Sequence, residues 1–214
     1  MRLACLSVPD FPAHEVRCCG HDFLWGGDVS GFKKLARINL KEIKRTGASE
    51  VVTACAECYH TLKYEYPEQL GELGFNVYHI SEYLSEKMPN LTFKKIEKRV
   101  SFHDPCRLGR LAGVFEEPRD VINTLPGVEF HDMARNRKRA LCCGTSGWLS
   151  CGTYSKQIQI SRLKEAKTTG AETLITACPK CQIHFKCAQA DPDTDEAAKI
   201  EVQDLTTLIV NAME

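Results

Sequence analysis

LKEIKRTGASEVVTACAECYHTLK at residues 40–63 and LKEAKTTGAETLITACPKCQIHFK at residues 163–186 align without a gap, and 12 of the 24 positions are identical. Others exchange similar apolar residues, Val51 with Leu174 and Val52 with Ile175. This is internal duplication, so the chain reads as two copies of one unit. Each copy predicts a helix closed by glycine (Gly47, Gly170) and a short apolar strand at residues 51–54 or 174–177. A C-x-x-C then opens a second helix. Further on, NVYHISEYLSEK and IEVQDLTTLIVNA each supply another apolar strand and a closing helix. Strands alternating with helices predict an α/β fold, with a small, largely parallel sheet flanked by helices in each unit. Residues 89–98, charged and opening with proline, predict the joint, which gives repeats at 1–90 and 98–214.

Upstream of each C-x-x-C stands a pair of adjacent cysteines followed by glycine: Cys18-Cys19-Gly20 in VRCCGHD and Cys142-Cys143-Gly144 in RALCCGTSGW. In a strand, neighbouring side chains point to opposite faces, so both thiols reach one centre only if the chain turns. Glycine supplies the backbone freedom that such a turn needs. A lone pair of this kind reads most simply as buried core thiols, and a vicinal disulfide is strained. The spacing argues for more. Between Cys19 and Cys55 lie 35 residues, and between Cys143 and Cys178 lie 34. A C-x-x-C at a helix mouth gains thiolate character from the helix dipole, as a thioredoxin-like redox pair also does. Two matched sets of CCG and C-x-x-C are far more specific than either piece.

The bulk properties narrow the function. Lysine plus arginine and aspartate plus glutamate both number 28, so no basic field points to nucleic acid. There is no apolar run long enough to span a bilayer, and Pro9, Asp10 and Pro12 interrupt the N-terminal apolar stretch, unlike a secretory signal. A reducing cytoplasm is the expected compartment, peripheral attachment to a membrane complex remaining open. There, 12 cysteines point to metal binding or redox chemistry rather than disulfides. The chain carries no G-x-S-x-G, P-loop or G-x-G-x-x-G motif, so a nicotinamide or flavin would sit on another subunit.

CCG and C-x-x-C at this separation, with HDPC before the second set, resemble the cysteine-rich CCG domain of heterodisulfide reductase catalytic subunits. Similar domains occur in iron–sulfur subunits of anaerobic glycerol-3-phosphate dehydrogenase, glycolate oxidase and lactate-utilisation proteins. The resemblance implies five cysteine ligands per complete motif, holding a noncubane 4Fe–4S cluster in heterodisulfide reductase. In the second repeat these would be Cys106, Cys142, Cys143, Cys178 and Cys181, with His103 or Asp104 as partners of the ligands or merely as a strand-end turn. The first repeat would offer Cys18, Cys19, Cys55 and Cys58. Its upstream strand and cysteine are missing, Cys5 is the only replacement, and either a 4Fe–4S cluster or tetrahedral zinc fits four thiolates. Cys151 and Cys187 read as packing thiols, with a resolving thiol near the cluster as the alternative for Cys151. The basic run ARNRKRA (134–140) reads as a solvated loop or as a grip for an acidic carrier or anionic substrate. The implied activity is an iron–sulfur oxidoreductase subunit that relays electrons, or delivers them to a disulfide. Its donor would be a ferredoxin-like subunit or a flavoprotein. The alternative is a zinc-bearing assembly module without activity of its own.

Overall fold

The computed structural model describes residues 17–145 and 152–213. Cys5 and Cys151 lie outside the described residues. The chain divides into two compact units, one running through Ile80 and the other from Ser81 onward. The charged stretch at residues 89–98 falls inside the second unit.

In the first unit, α1 (His21–Trp25) leads into α2 (Val29–Arg45), β1 (Glu50–Thr53), α3 (Ala56–His60), a π-helical turn (Thr61–Glu65), α4 (Tyr66–Leu70) and β2 (Asn76–His79). Asp28 caps α2 through a side-chain bond from the Gly31 amide. The helix buries Phe32, Ala36, Asn39 and Ile43, a stripe at three- and four-residue spacing. β1 and β2 pair in parallel, Glu50 with Asn76 through Thr53 with His79. Among the described residues this sheet has two strands.

α5 (Ile80–Lys87) begins at the division. The second unit then runs β3 (Lys98–His103), α6 (Glu117–Thr124), β4 (Val128–Phe130), α7 (Thr153–Lys167), β5 (Thr173–Thr176), α8 (Pro179–Gln189), β6 (Glu201–Asp204) and α9 (Leu205–Ala212). Its sheet is wholly parallel in the order β4-β3-β5-β6. All four residues of β5 are buried, as expected of a central strand covered on both faces. Val100, Phe102, Leu174, Ile175, Phe185 and Leu208 form the centre of the core.

The α/β architecture is the one the repeat predicts. β1 and β5 are equivalent, as are β2 and β6, and β3 and β4 have no counterpart among the described residues of the first unit. This strand order has a functional consequence. From β3 the chain moves outward to β4, then crosses back to β5 on the opposite side. A crevice opens where such a sheet reverses direction, at the carboxyl ends of the two central strands. Cys106 follows β3 there, and Cys178 follows β5.

Candidate metal centre

Three chain segments meet at that crevice. β3 ends at His103, and Asp104-Pro105 turns the chain so that Cys106 leads the next loop. Cys178 stands at the N-cap of α8 with extended backbone, and Cys181 lies in the first helical turn. The CCG turn supplies Cys142 and Cys143. Gly144 has φ of 83°, and a Cβ there would lie 2.6 Å from both Gln159 Cγ and the Ser155 carbonyl oxygen on α7. Glycine is thus required twice, for its backbone angle and for the close approach to α7.

The thiols form an unbroken line of hydrogen-bonding neighbours: Cys106 with Cys142, Cys142 with Cys143, Cys143 with Cys181, and Cys181 with Cys178. Cys143, Cys178 and Cys181 are buried, whereas Cys106 and Cys142 are half-buried. The Thr145 hydroxyl lies 2.9 Å from Cys143 Sγ. Crowding without a cation raises the pKa of three of these thiols. The Cys142 contact, then burial, drive Cys106 far above the ordinary thiol range. The Cys142 contact likewise pushes Cys143 up to about 11. The Cys143 contact, the Cys178 contact and burial raise Cys181. Five thiolates at such proximity require several positive charges among them. One tetrahedral zinc ion uses four ligands and leaves a fifth over, whereas a cluster of several irons accepts adjacent thiolates on different atoms. The donor set fits an iron–sulfur cluster.

His103 joins the group. It is fully buried, and one ring nitrogen lies within 4.8 Å of the Cys143 and Cys181 sulfurs. Burial, then the Arg162 charge, hold its pKa well below the usual histidine value. Arg162 Nε donates to His103 Nδ1 at 3.1 Å. Arg162 Nη1 donates to Glu165 at 2.9 Å and to the Arg135 carbonyl at 2.7 Å.

Asp104 works at longer range. Arg119 grips it bidentately at 2.8 and 2.9 Å and also donates to Asp132 from Nε and Nη2. The Arg137 amide donates to Asp104 at 2.9 Å. Asp104 therefore ties the loop that leads to the CCG turn onto the end of β3, fixing Cys142 and Cys143 relative to Cys106. Arg137 reaches this position in a disfavoured left-handed backbone conformation, with φ of 53°.

The same contacts divide the basic run. Arg135 pairs with Glu165, and Arg137 with Glu116 and Asp132. These two arginines hold the loop in place, contrary to the reading of the whole run as solvated or partner-facing. Lys138 and Arg139 are exposed and meet no acidic partner among the described residues. Arg110, whose Nη1 donates to the Ala140 carbonyl, adds a third positive charge beside them. If the donor is acidic, as the expectation of a grip for an acidic carrier implies, changing Lys138 and Arg139 to glutamate slows reduction most at low salt, with unchanged metal content and melting temperature. Stopped-flow reduction across ionic strengths is the measurement. An equal rate at low salt returns these two residues to ordinary surface.

The first unit gathers Cys18, Cys19, Cys55 and Cys58 in the same way. Cys55 caps α3 and Cys58 lies within it, and Gly20 turns the CCG with φ of 86°. Hydrogen bonds from Cys18 and Cys58 hold Cys19 well below the ordinary thiol value. The Cys19 contact holds Cys58 above it, with Cys55 adding to the rise. Asn39 Nδ2 donates to the Cys18 carbonyl, and Tyr66 Oη to the Cys19 carbonyl, each at 3.0 Å. Around the thiols the repeats exchange side chains. His21 follows the first CCG where Thr145 follows the second, and Thr61 stands three residues beyond the first C-x-x-C where His184 stands beyond the second. His21 and Thr61 touch at 3.4 Å.

Cys187 is exposed, far along α8 from the cluster of thiols. Sequence reasoning missed Arg119 and Arg162. A signal for Arg162 was present: α7 turns Ser155, Gln159 and Arg162 inward where an apolar stripe is expected.

The profile of the cysteine-rich CCG domain matches residues 4–63 and 100–186. The chain belongs to the CCG cysteine-rich domain family. Among its relatives is one component of the dihydromethanophenazine:CoB–CoM heterodisulfide reductase of Methanosarcina acetivorans, 38% identical over 205 residues, covering 92% of this chain and 49% of that protein. Its namesake from Methanosarcina mazei is 35% identical over 210 residues, covering 93% and 50%. One component of the fumarate reductase (CoM/CoB) of Methanothermobacter marburgensis is 34% identical over 179 residues, covering 83% and 35%. This CCG chain thus spans about half the length of the first two and about a third of the last. No helix among its described residues is long and apolar enough to cross a membrane.

Proposed function

We propose that this CCG protein is an iron–sulfur oxidoreductase subunit that receives electrons singly and delivers them to a disulfide. The second repeat would hold a 4Fe–4S cluster, of the noncubane type that the resemblance implies, through Cys106, Cys142, Cys143, Cys178 and Cys181. The observation that carries this reading is the continuous contact of five thiols at the reversal point of the sheet. The names of the two heterodisulfide reductase relatives support the substrate class.

Reduction of a disulfide takes two electrons and two protons and yields two thiols. A bound cluster supplies one-electron storage and iron with an affinity for sulfur. The protein's own residues would do the rest. Half-buried Cys106 and Cys142 mark the accessible side of the centre, and buried Cys143, Cys178 and Cys181 its sheltered side. Lys138, Arg139 and Arg110 present positive charge to an acidic ferredoxin-like or flavoprotein donor, or to an anionic substrate. The cytoplasm is the compartment proposed for this chemistry.

In the first repeat, four thiols in a line of contacts from Cys18 through Cys19 and Cys58 to Cys55 suit either a cluster or a tetrahedral zinc ion. The deciding experiment is anaerobic purification followed by iron, zinc and acid-labile sulfide analysis. About four iron and four sulfide per filled site, with brown colour, is expected. A colourless protein with zinc at both repeats and no sulfide would replace this reading with that of an assembly module. With Cys18 and Cys19 both changed to serine, the second repeat's iron and sulfide are expected to remain, because the two thiol sets share no member. Loss of all iron from that variant would show the sites to be one.

A further inference from the structure

His103 offers the buried thiol group a nitrogen, and its neighbours decide which chemistry that nitrogen has. The imidazole is fixed from two sides. Phe185 packs edge-on against it, with centroids 4.9 Å apart and planes at 89°. Arg162, itself fully buried, aims Nε–H at Nδ1. An arginine Nε–H only donates, so Nδ1 must accept. A neutral imidazole whose Nδ1 accepts carries its proton on Nε2. Nε2 is buried and meets no hydrogen-bond partner among the described residues. A buried N–H without an acceptor is destabilising, so a site that retains one has an acceptor to offer it. The acceptors at hand are the sulfurs of Cys143 and Cys181, within 4.8 Å of a ring nitrogen.

We propose that His103 is not a metal ligand but a dedicated N–H donor to sulfur in the second-repeat centre, and that Arg162 sets the tautomer. Ligation through Nε2 would place the imidazole proton on Nδ1, facing the arginine N–H head-on. With that tautomer barred, Nε2–H points its positive end at thiolate or cluster sulfide. It favours the more negative, reduced state of the centre and raises its potential. The duplication provides an internal comparison. The first unit has no counterpart of β3 among its described residues, and its equivalent of Arg162 is Asn39, which binds the CCG backbone instead. The arginine stands in the repeat that also has the histidine.

This inference rests on the iron–sulfur reading, and the test separates the two. The wild-type protein, purified anaerobically with 15N-histidine and reduced, is examined by pulsed EPR in H2O and D2O. A weakly coupled nitrogen with an exchangeable proton is expected. A strongly coupled, directly bound nitrogen overturns the proposal, and so does a cluster with no histidine coupling; neither touches the iron–sulfur reading. A protein with no cluster overturns both. His103→Met, which lacks a donor, is expected to lose about tenfold in the reduction equilibrium, about 59 mV for one electron. His103→Gln, whose amide can donate from the Nε2 position, is expected to restore most of it at equal iron content. Equal potentials in wild type and both variants would reduce His103 to a packing residue.

Discussion

Serine in place of Cys143 or Cys181 is expected to remove most of the iron, sulfide and visible absorbance of the second repeat. Each stands inside the line of thiols rather than at its end. Cys143 contacts Cys142 and Cys181, and Cys181 contacts Cys143 and Cys178. Losing an interior member opens a gap that no neighbour can close, because the CCG turn and α8 are each fixed by their own backbone. A serine oxygen is a hard, weakly acidic donor that binds iron poorly beside soft thiolates. Cys187→Ser is the control: the same chemical change, on the same helix, at an exposed position. It is expected to retain the full complement. If Cys187→Ser loses the cluster while Cys143→Ser keeps it, the ligand set is wrong.

The second large effect is expected at a pair that touches no thiol. Arg119 and Asp104 are each 3% exposed and share two hydrogen bonds, with Asp132 on the arginine's other side. Burial opposes the arginine's charge. Its hydrogen bonds to Asp104 and Asp132 outweigh it and hold the arginine above its ordinary pKa. Arg119→Leu leaves the Asp104 carboxylate buried without its main partner, a change that costs about 3–5 kcal/mol. Anaerobic denaturant titration should show the midpoint fall without a change in slope. Because Asp104 also accepts from the Arg137 amide, the loop leading to Cys142 and Cys143 should loosen, and iron content should drop as well. Arg99→Gln, which breaks the exposed pair with Glu172, should change neither. Equal behaviour of Arg119→Leu and Arg99→Gln would show that Asp104 does not anchor the loop.

Much of this protein is legible in its sequence because duplication states the same message twice. The paired segments at 40–63 and 163–186 imposed the order of helix, strand and C-x-x-C helix, and matched spacing made the CCG pairs and C-x-x-C pairs one set of residues. Gly20 and Gly144 were readable because a turn between adjacent thiols needs a backbone that only glycine adopts easily, and both have positive φ. The network around the thiols was not legible. Its contacts join residues far apart in the chain: Arg162 to His103, Arg119 to Asp104, Arg137 to Glu116. Local periodicity carries no information about such pairs. The basic run shows the difference most clearly, since composition alone makes Arg135, Arg137, Lys138 and Arg139 equivalent. Folding separates them: Arg135 and Arg137 meet carboxylates brought in from α7, the α6 N-cap and the end of β4, while Lys138 and Arg139 keep their charge at the surface. The sequence alone thus determined which residue types converge on the sheet's reversal point. The tertiary structure decided which of their neighbours hold the site together, because a charge is neutralised by what lies beside it in space rather than along the chain.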